Sequence, residues 1–182
     1  MLANFILFQI GWFACVLGGA HDRPWLGTSI AVAIVIWHVG RAPRPRTETI
    51  LVLLSAGIGA TADSILVAAD WVRYASGTVV PGMVPVWLVA MWMLFATTLN
   101  VSLRWLRRHT FAAIALGAVG GPLAYWGGAR LGGMEFVAPL AATAALAIGW
   151  AVLTPLLVRL ARRFDGYAPA VAAGPQAQSP HA

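Results

Sequence analysis

The chain has 182 residues, of which 60% are hydrophobic and 10% charged, and its twelve arginines, absent lysines and six acids give a net charge of +6. That balance excludes a water-soluble surface, because ordinary globular domains are about one quarter charged. The arginines stand in small groups between apolar runs, which excludes the continuous cationic stripe of a nucleic-acid groove.

A helix needs roughly 17 to 25 apolar residues to cross the hydrocarbon, and its backbone groups must be satisfied within the segment. Six runs qualify in chain order: 2–20, 24–39, 50–69, 84–103, 110–129 and 137–160. The first contains Cys15, the only cysteine, so there is no disulfide framework and no thiolate metal site. It is a span and not a cleaved secretory signal, since no basic stretch precedes it and Asn4 and Gln9 interrupt it. The second run is the shortest, and a re-entrant segment is the alternative there; Pro24 suits a first helical position and Arg41 can snorkel to lengthen it.

Within the third run Asp63 is an acid where lipid tolerates none, so it must face protein. Ser55, Ala56, Gly59 and Ala60 share its stripe at helical spacing and allow close helix approach. Tyr125 of the fifth run reaches a similar depth, and Arg130 just beyond can snorkel inward, so Asp63 is expected to bond to Tyr125, Arg130 or Ser64. The fourth run ends in Thr97, Asn100 and Arg104, a polar edge that leads into a basic loop and that an anion such as a lipid headgroup fits. With Asn4, Gln9, His38 and Thr154 this edge forms a second polar layer near one membrane face. In the fifth run Gly117 and Gly121 make a GxxxG face and Pro122 frees a carbonyl one turn earlier, which predicts either tight packing or a broken helix. Trp25, Trp37, Trp71, Trp87, Trp105 and Trp126 fall near run ends, as interfacial belts do, whereas Trp12, Trp92 and Trp150 lie deeper.

The arginines orient the whole. Arg41, Arg44, Arg46, Arg104, Arg107, Arg108, Arg159, Arg162 and Arg163 occupy alternate connections, and only Arg23, Arg73 and Arg130 occupy the others, nine against three. Cytoplasmic loops carry the excess, so both termini are expected inside. The expected architecture is therefore all-α, a polytopic membrane helical bundle of about six transmembrane helices over residues 1–163, followed at 164–182 by a disordered cytoplasmic tail rich in Ala, Pro and Gln.

Three segments carry a resemblance: FQIGWFACVLG from Phe8, FATTLNVSLRWL from Phe95 and GAVGGPLAYWGGARLG from Gly117. Together they resemble the bacterial domain-of-unknown-function 2878 family, over about residues 3–160. The resemblance implies a small multi-pass inner-membrane protein and transfers no functional residues. On the residues alone, the expected partner is membrane lipid, with another membrane protein as an alternative and no nucleic acid, cofactor or metal. The candidate ligand-binding residues are Asp63, Tyr125, Arg130, Asn100, Arg104, Gln9 and His38. Binding or movement of a lipid or small amphiphile is the first functional expectation. A lipid-modifying enzyme and an assembly subunit are the others, and the first of these is disfavoured because Asp63 and His38 are predicted near opposite faces.

Overall fold

The computed structural model describes residues 1–169, and the rest of the expected tail lies outside the described residues. Six α-helices alternate in direction: α1 (Leu2–Ala20), α2 (Pro24–Gly40), α3 (Pro45–Ala68), α4 (Val86–Leu99), α5 (Thr110–Arg130) and α6 (Pro139–Arg163). Pro24, Pro45 and Pro139 open three of them, where the missing N–H is no loss and the fixed φ favours the helix. Four helices, α1, α3, α5 and α6, are long and apolar enough to cross a membrane; α2 and α4 are shorter apolar helices of 17 and 14 residues. The outward faces are apolar, as a lipid solvent requires: Phe5, Ile10 and Phe13 on α1 and Leu140, Ile148 and Val152 on α6 are all exposed.

The boundaries differ from the hydropathy runs at the polar ends. α3 begins at Pro45, five residues before its apolar run, and so takes in Glu48. α4 stops at Leu99, where the Thr97 and Thr98 hydroxyls donate to the carbonyls of Leu94 and Phe95 at 2.7 Å each, and the chain passes into a 3₁₀ turn over Arg104–Arg108. Hydropathy reports contact with lipid, whereas a helix continues for as long as its backbone is satisfied. Between helices the chain also forms a short antiparallel ribbon that the apolar runs do not foretell. In it β1 (Val72–Tyr74) pairs with β2 (Met134–Phe136) in the register Val72 to Phe136 and Tyr74 to Met134.

α4 is the central element. α1, α2 and α3 pack around it, α6 touches it, and α5 leans on α6. Close approach depends on small residues. A methyl group on Gly59 of α3 would overlap the Trp92 ring of α4, and one on Gly27 of α2 would overlap the Ala14 carbonyl of α1. The GxxxG face of α5 is used for packing, with Gly117 and Gly121 against Trp150 of α6, and α5 runs as one unbroken helix through Pro122. The ends are tied by polar contacts. At the basic end, Asn4 of α1 donates to the Thr97 carbonyl of α4 at 3.1 Å and accepts from Ser102 at 2.8 Å. At the ribbon end, Ser76 donates to the Gly19 carbonyl at 2.7 Å and Trp87 donates to the Ser76 carbonyl at 3.0 Å. Trp87 is thus buried and not part of an interfacial belt, unlike Trp25, Trp37 and Trp105, which are exposed.

Candidate functional site

Three polar or concave places stand out. The first surrounds Asp63. It is buried on the stripe it shares with Ser55, Ala56 and Gly59, and each of its oxygens has one donor. The Tyr125 hydroxyl donates to Oδ1 at 2.6 Å and the Trp92 indole N–H donates to Oδ2 at 2.7 Å. The Tyr125 contact is the one that depth matching predicts. Arg130 is exposed and makes no ion pair with Asp63 among the described residues, because it ends α5 at the surface, and Ser64 instead accepts the Val84 N–H at 3.3 Å. The Trp92 contact escaped the sequence reading, which had no reason to separate a hydrogen-bonding indole from one that only packs. The trio joins α3, α4 and α5, and two donors meet the demand of one buried carboxylate.

The second place is at the basic end, and its centre is Glu48, a residue that falls outside every apolar run. Glu48 is fully buried. His38 Nε2 meets its Oε1 at 2.9 Å, while Asn100 Nδ2 and the Gly166 backbone N–H donate to its Oε2 at 2.6 and 3.1 Å. Around this carboxylate the chain after α6 closes. Asn100 donates to the Phe164 carbonyl at 3.1 Å, and Asp165 accepts from Arg104 at 2.8 Å and from Arg107 at 2.7 Å. Tyr167 donates to the His38 carbonyl at 2.8 Å. Arg107 also donates to Asn100 Oδ1 and to the Ala161 carbonyl. Burial, and after it the charge of Glu48, push the Tyr167 phenol above its ordinary value despite the opposing Arg41. Residues 164–169, expected as the start of a disordered tail, are therefore a strap docked on α2, α3, α4 and the 3₁₀ turn. The predicted layer is divided: Asn100, Arg104 and His38 meet here, whereas Gln9 and Thr154 belong to the third place.

The third place is a groove of about 440 Å³ between α1 and α5, backed by α4 and α6. Trp12 of α1 approaches Gly127 of α5, and Val16 approaches Gly128 and Gly133, which closes the groove toward the ribbon. Tyr74, Trp87 and Met134 form its roof. Its back wall is aromatic: Trp92 stacks on Trp150 with centroids 4.7 Å apart, and Phe95 meets Trp150 edge-on at 5.3 Å. Along α5 the groove runs from Leu116 to Gly128, which is roughly 18 Å of helix. Gly120 lies open on its wall, with nothing nearer to an added methyl than Leu116 Cδ1 at 3.8 Å. Among the described residues no charged side chain lines it, and Gln9 is its polar member from α1.

Among the described residues His38 and Asp63 share no hydrogen-bond partner. A family model described as Protein of unknown function (DUF2878) matches residues 1–156, which takes in all six helices except the last turns of α6. No curated protein and no solved structure matches the chain.

Proposed function

We propose that this chain, which belongs to the family just described, is a multi-pass protein of the bacterial inner membrane that binds or moves a lipid or small amphiphile and performs no chemistry on it. The observation that carries the reading is the aromatic groove between α1 and α5, whose volume of about 440 Å³ lies in the range of small-molecule sites and whose length of roughly 18 Å along α5 exceeds half of a hydrocarbon core of about 30 Å. Glycines on α5 keep one wall flat, and the outward faces of the flanking helices are apolar, so a chain reaches the groove from the side without crossing water. The Glu48 network is the alternative place for chemistry, but its lone pairs are already engaged by His38, Asn100 and Gly166 under the docked strap.

The membrane arrangement in this proposal has six spans with both termini in the cytoplasm, supported by the nine-to-three arginine asymmetry and by the alternation of the helices. A membrane-impermeant maleimide applied to intact cells should label Val79→Cys on the ribbon side and spare Arg46→Cys. The reverse pattern overturns the orientation. For the groove, native mass spectrometry of protein extracted in mild detergent should find a retained lipid in wild type and little in Gly120→Leu, which fills the groove from an open position. Equal retention by both proteins removes the groove from consideration. A scaffold for another membrane protein is a second reading, favoured by a shallow outward hollow on α3 around Gly57 and Thr61.

A further inference from the structure

We propose that the groove selects an uncharged amphiphile whose head carries a hydrogen-bonding oxygen, seated against the side-chain amide of Gln9, with its chain running toward the Tyr74 and Trp87 roof. This rests on the groove reading above and names the class of ligand. Gln9 is the seventh residue beyond Leu2, roughly 10 Å along α1 from its basic end, and so lies well inside the apolar layer. It is half-buried, lines the groove, and its amide makes no side-chain hydrogen bond among the described residues. An amide without a partner in hydrocarbon is costly, and it carries both donors and an acceptor.

The other side-chain oxygens nearby are engaged or shut away from the groove. Asn4 bonds to α4 and Ser102, and the Asp63 oxygens are taken by Trp92 and Tyr125. The Thr154 hydroxyl, under Gly117, and the Tyr74 hydroxyl have no partner among the described residues, but both are buried out of a ligand's reach. Gln9 is thus the group that a ligand's oxygen meets. Charge is excluded by the same surroundings. Among the described residues no arginine, acid or histidine lines the groove, and the Arg104 and Arg107 guanidiniums are held by Asp165 at the basic end. An ionised head beside Gln9 would lack a counter-ion in low dielectric, whereas an ester, alcohol or ketone needs only the amide. The flat wall at Gly120 and the stacked Trp92 and Trp150 rings leave room for the chain.

The test uses the full chain in nanodiscs and reads quenching of the groove tryptophans by two brominated probes of equal chain length, dibrominated monoolein and dibromostearate. Gly120→Leu supplies the background from tryptophans outside the groove. Saturable quenching by the monoglyceride is expected, at least tenfold tighter than by the ionised fatty acid. Gln9→Leu, which keeps the apolar character of α1, should weaken the monoglyceride by about 2- to 10-fold, the range of one net hydrogen bond. If the two probes bind alike, or Gln9→Leu binds the monoglyceride as wild type does, while Gly120→Leu still abolishes quenching, the ligand class is wrong and the groove survives. If Gly120→Leu quenches as wild type does, the groove falls and the inference with it.

Discussion

Replacing Glu48 separates a carboxylate that holds the basic end together from one that is merely tolerated there. Its side chain accepts from His38, Asn100 and the Gly166 N–H at 2.9, 2.6 and 3.1 Å, and it is fully buried. Glu48→Ala leaves His38 Nε2 and the Gly166 N–H without partners, while Asn100 keeps the Phe164 carbonyl. Each buried donor left unmatched costs about 1–3 kcal/mol, so the alanine variant should lose about 3–5 kcal/mol, the range seen when one member of a buried pair is removed. Glu48→Gln behaves differently. Its oxygen can face Asn100 and Gly166, and its NH₂ can donate to His38 Nε2 once the ring proton moves to Nδ1, where the Tyr167 hydroxyl at 3.3 Å accepts it. The groups that Glu48 engages keep their partners and charge assistance is lost, about 1–2 kcal/mol. Thermal unfolding in detergent distinguishes the two. At about 2–4 °C per kcal/mol for a chain of this size, alanine should lower the midpoint by roughly 10 °C and glutamine by roughly 4 °C. An alanine variant as stable as the glutamine variant refutes the network as a source of stability.

Three further outcomes follow from the same contacts. Asp63→Leu should destabilise by about 2–4 kcal/mol because it strands the Trp92 and Tyr125 donors, whereas Asp63→Asn should cost under about 2 kcal/mol; denaturant or thermal melts of both variants check this, and equal losses contradict the pairing. Gly166→Ala should undock the strap, since its methyl would overlap Glu48, and hydrogen exchange at the Arg44 amide, which donates to the Gly166 carbonyl at 2.9 Å, should accelerate at least tenfold. For Tyr167 the folded state raises the phenol above its value near 10, so its neutral form contributes stability that is present below that value and lost as pH rises through the folded one. Strap release should therefore set in on the alkaline side, and Tyr167→Phe should remove the corresponding step in tyrosinate absorbance.

The helices were legible in the sequence because an apolar run of that length must satisfy its own backbone groups, which a helix does. The Asp63 to Tyr125 contact was legible too, since rise per residue places the two at one depth. Glu48 was not, because a carboxylate four residues from Arg44 reads as surface in any hydropathy window, and only the early start of α3 at Pro45 draws it inward. The strap was hidden for a related reason. Phe164 to Tyr167 has too little apolar surface to fold alone and is ordered by hydrogen bonds to residues far off in the chain. Gln9 and Thr154 were placed with the wrong neighbours, since depth along a helix does not reveal which way it faces when α1 and α5 part to leave a groove.

The shortness of α4 has a consequence for the bilayer. At 14 residues it is roughly 21 Å long, several ångströms less than the hydrocarbon it would have to match. A lipid-facing helix of that length would thin the membrane around it. α1, α2 and α3 pack around α4 and α6 touches it, so in the proposed membrane arrangement the deficit falls inside the bundle. The 3₁₀ turn and the strap cover the basic end of α4 with guanidinium, amide and carboxylate groups, which in the proposed arrangement makes a polar plug below the headgroup level. Lengthening α4 by one turn would push this plug outward and open the end that it seals, while the apolar outward faces of the other helices stay as they are.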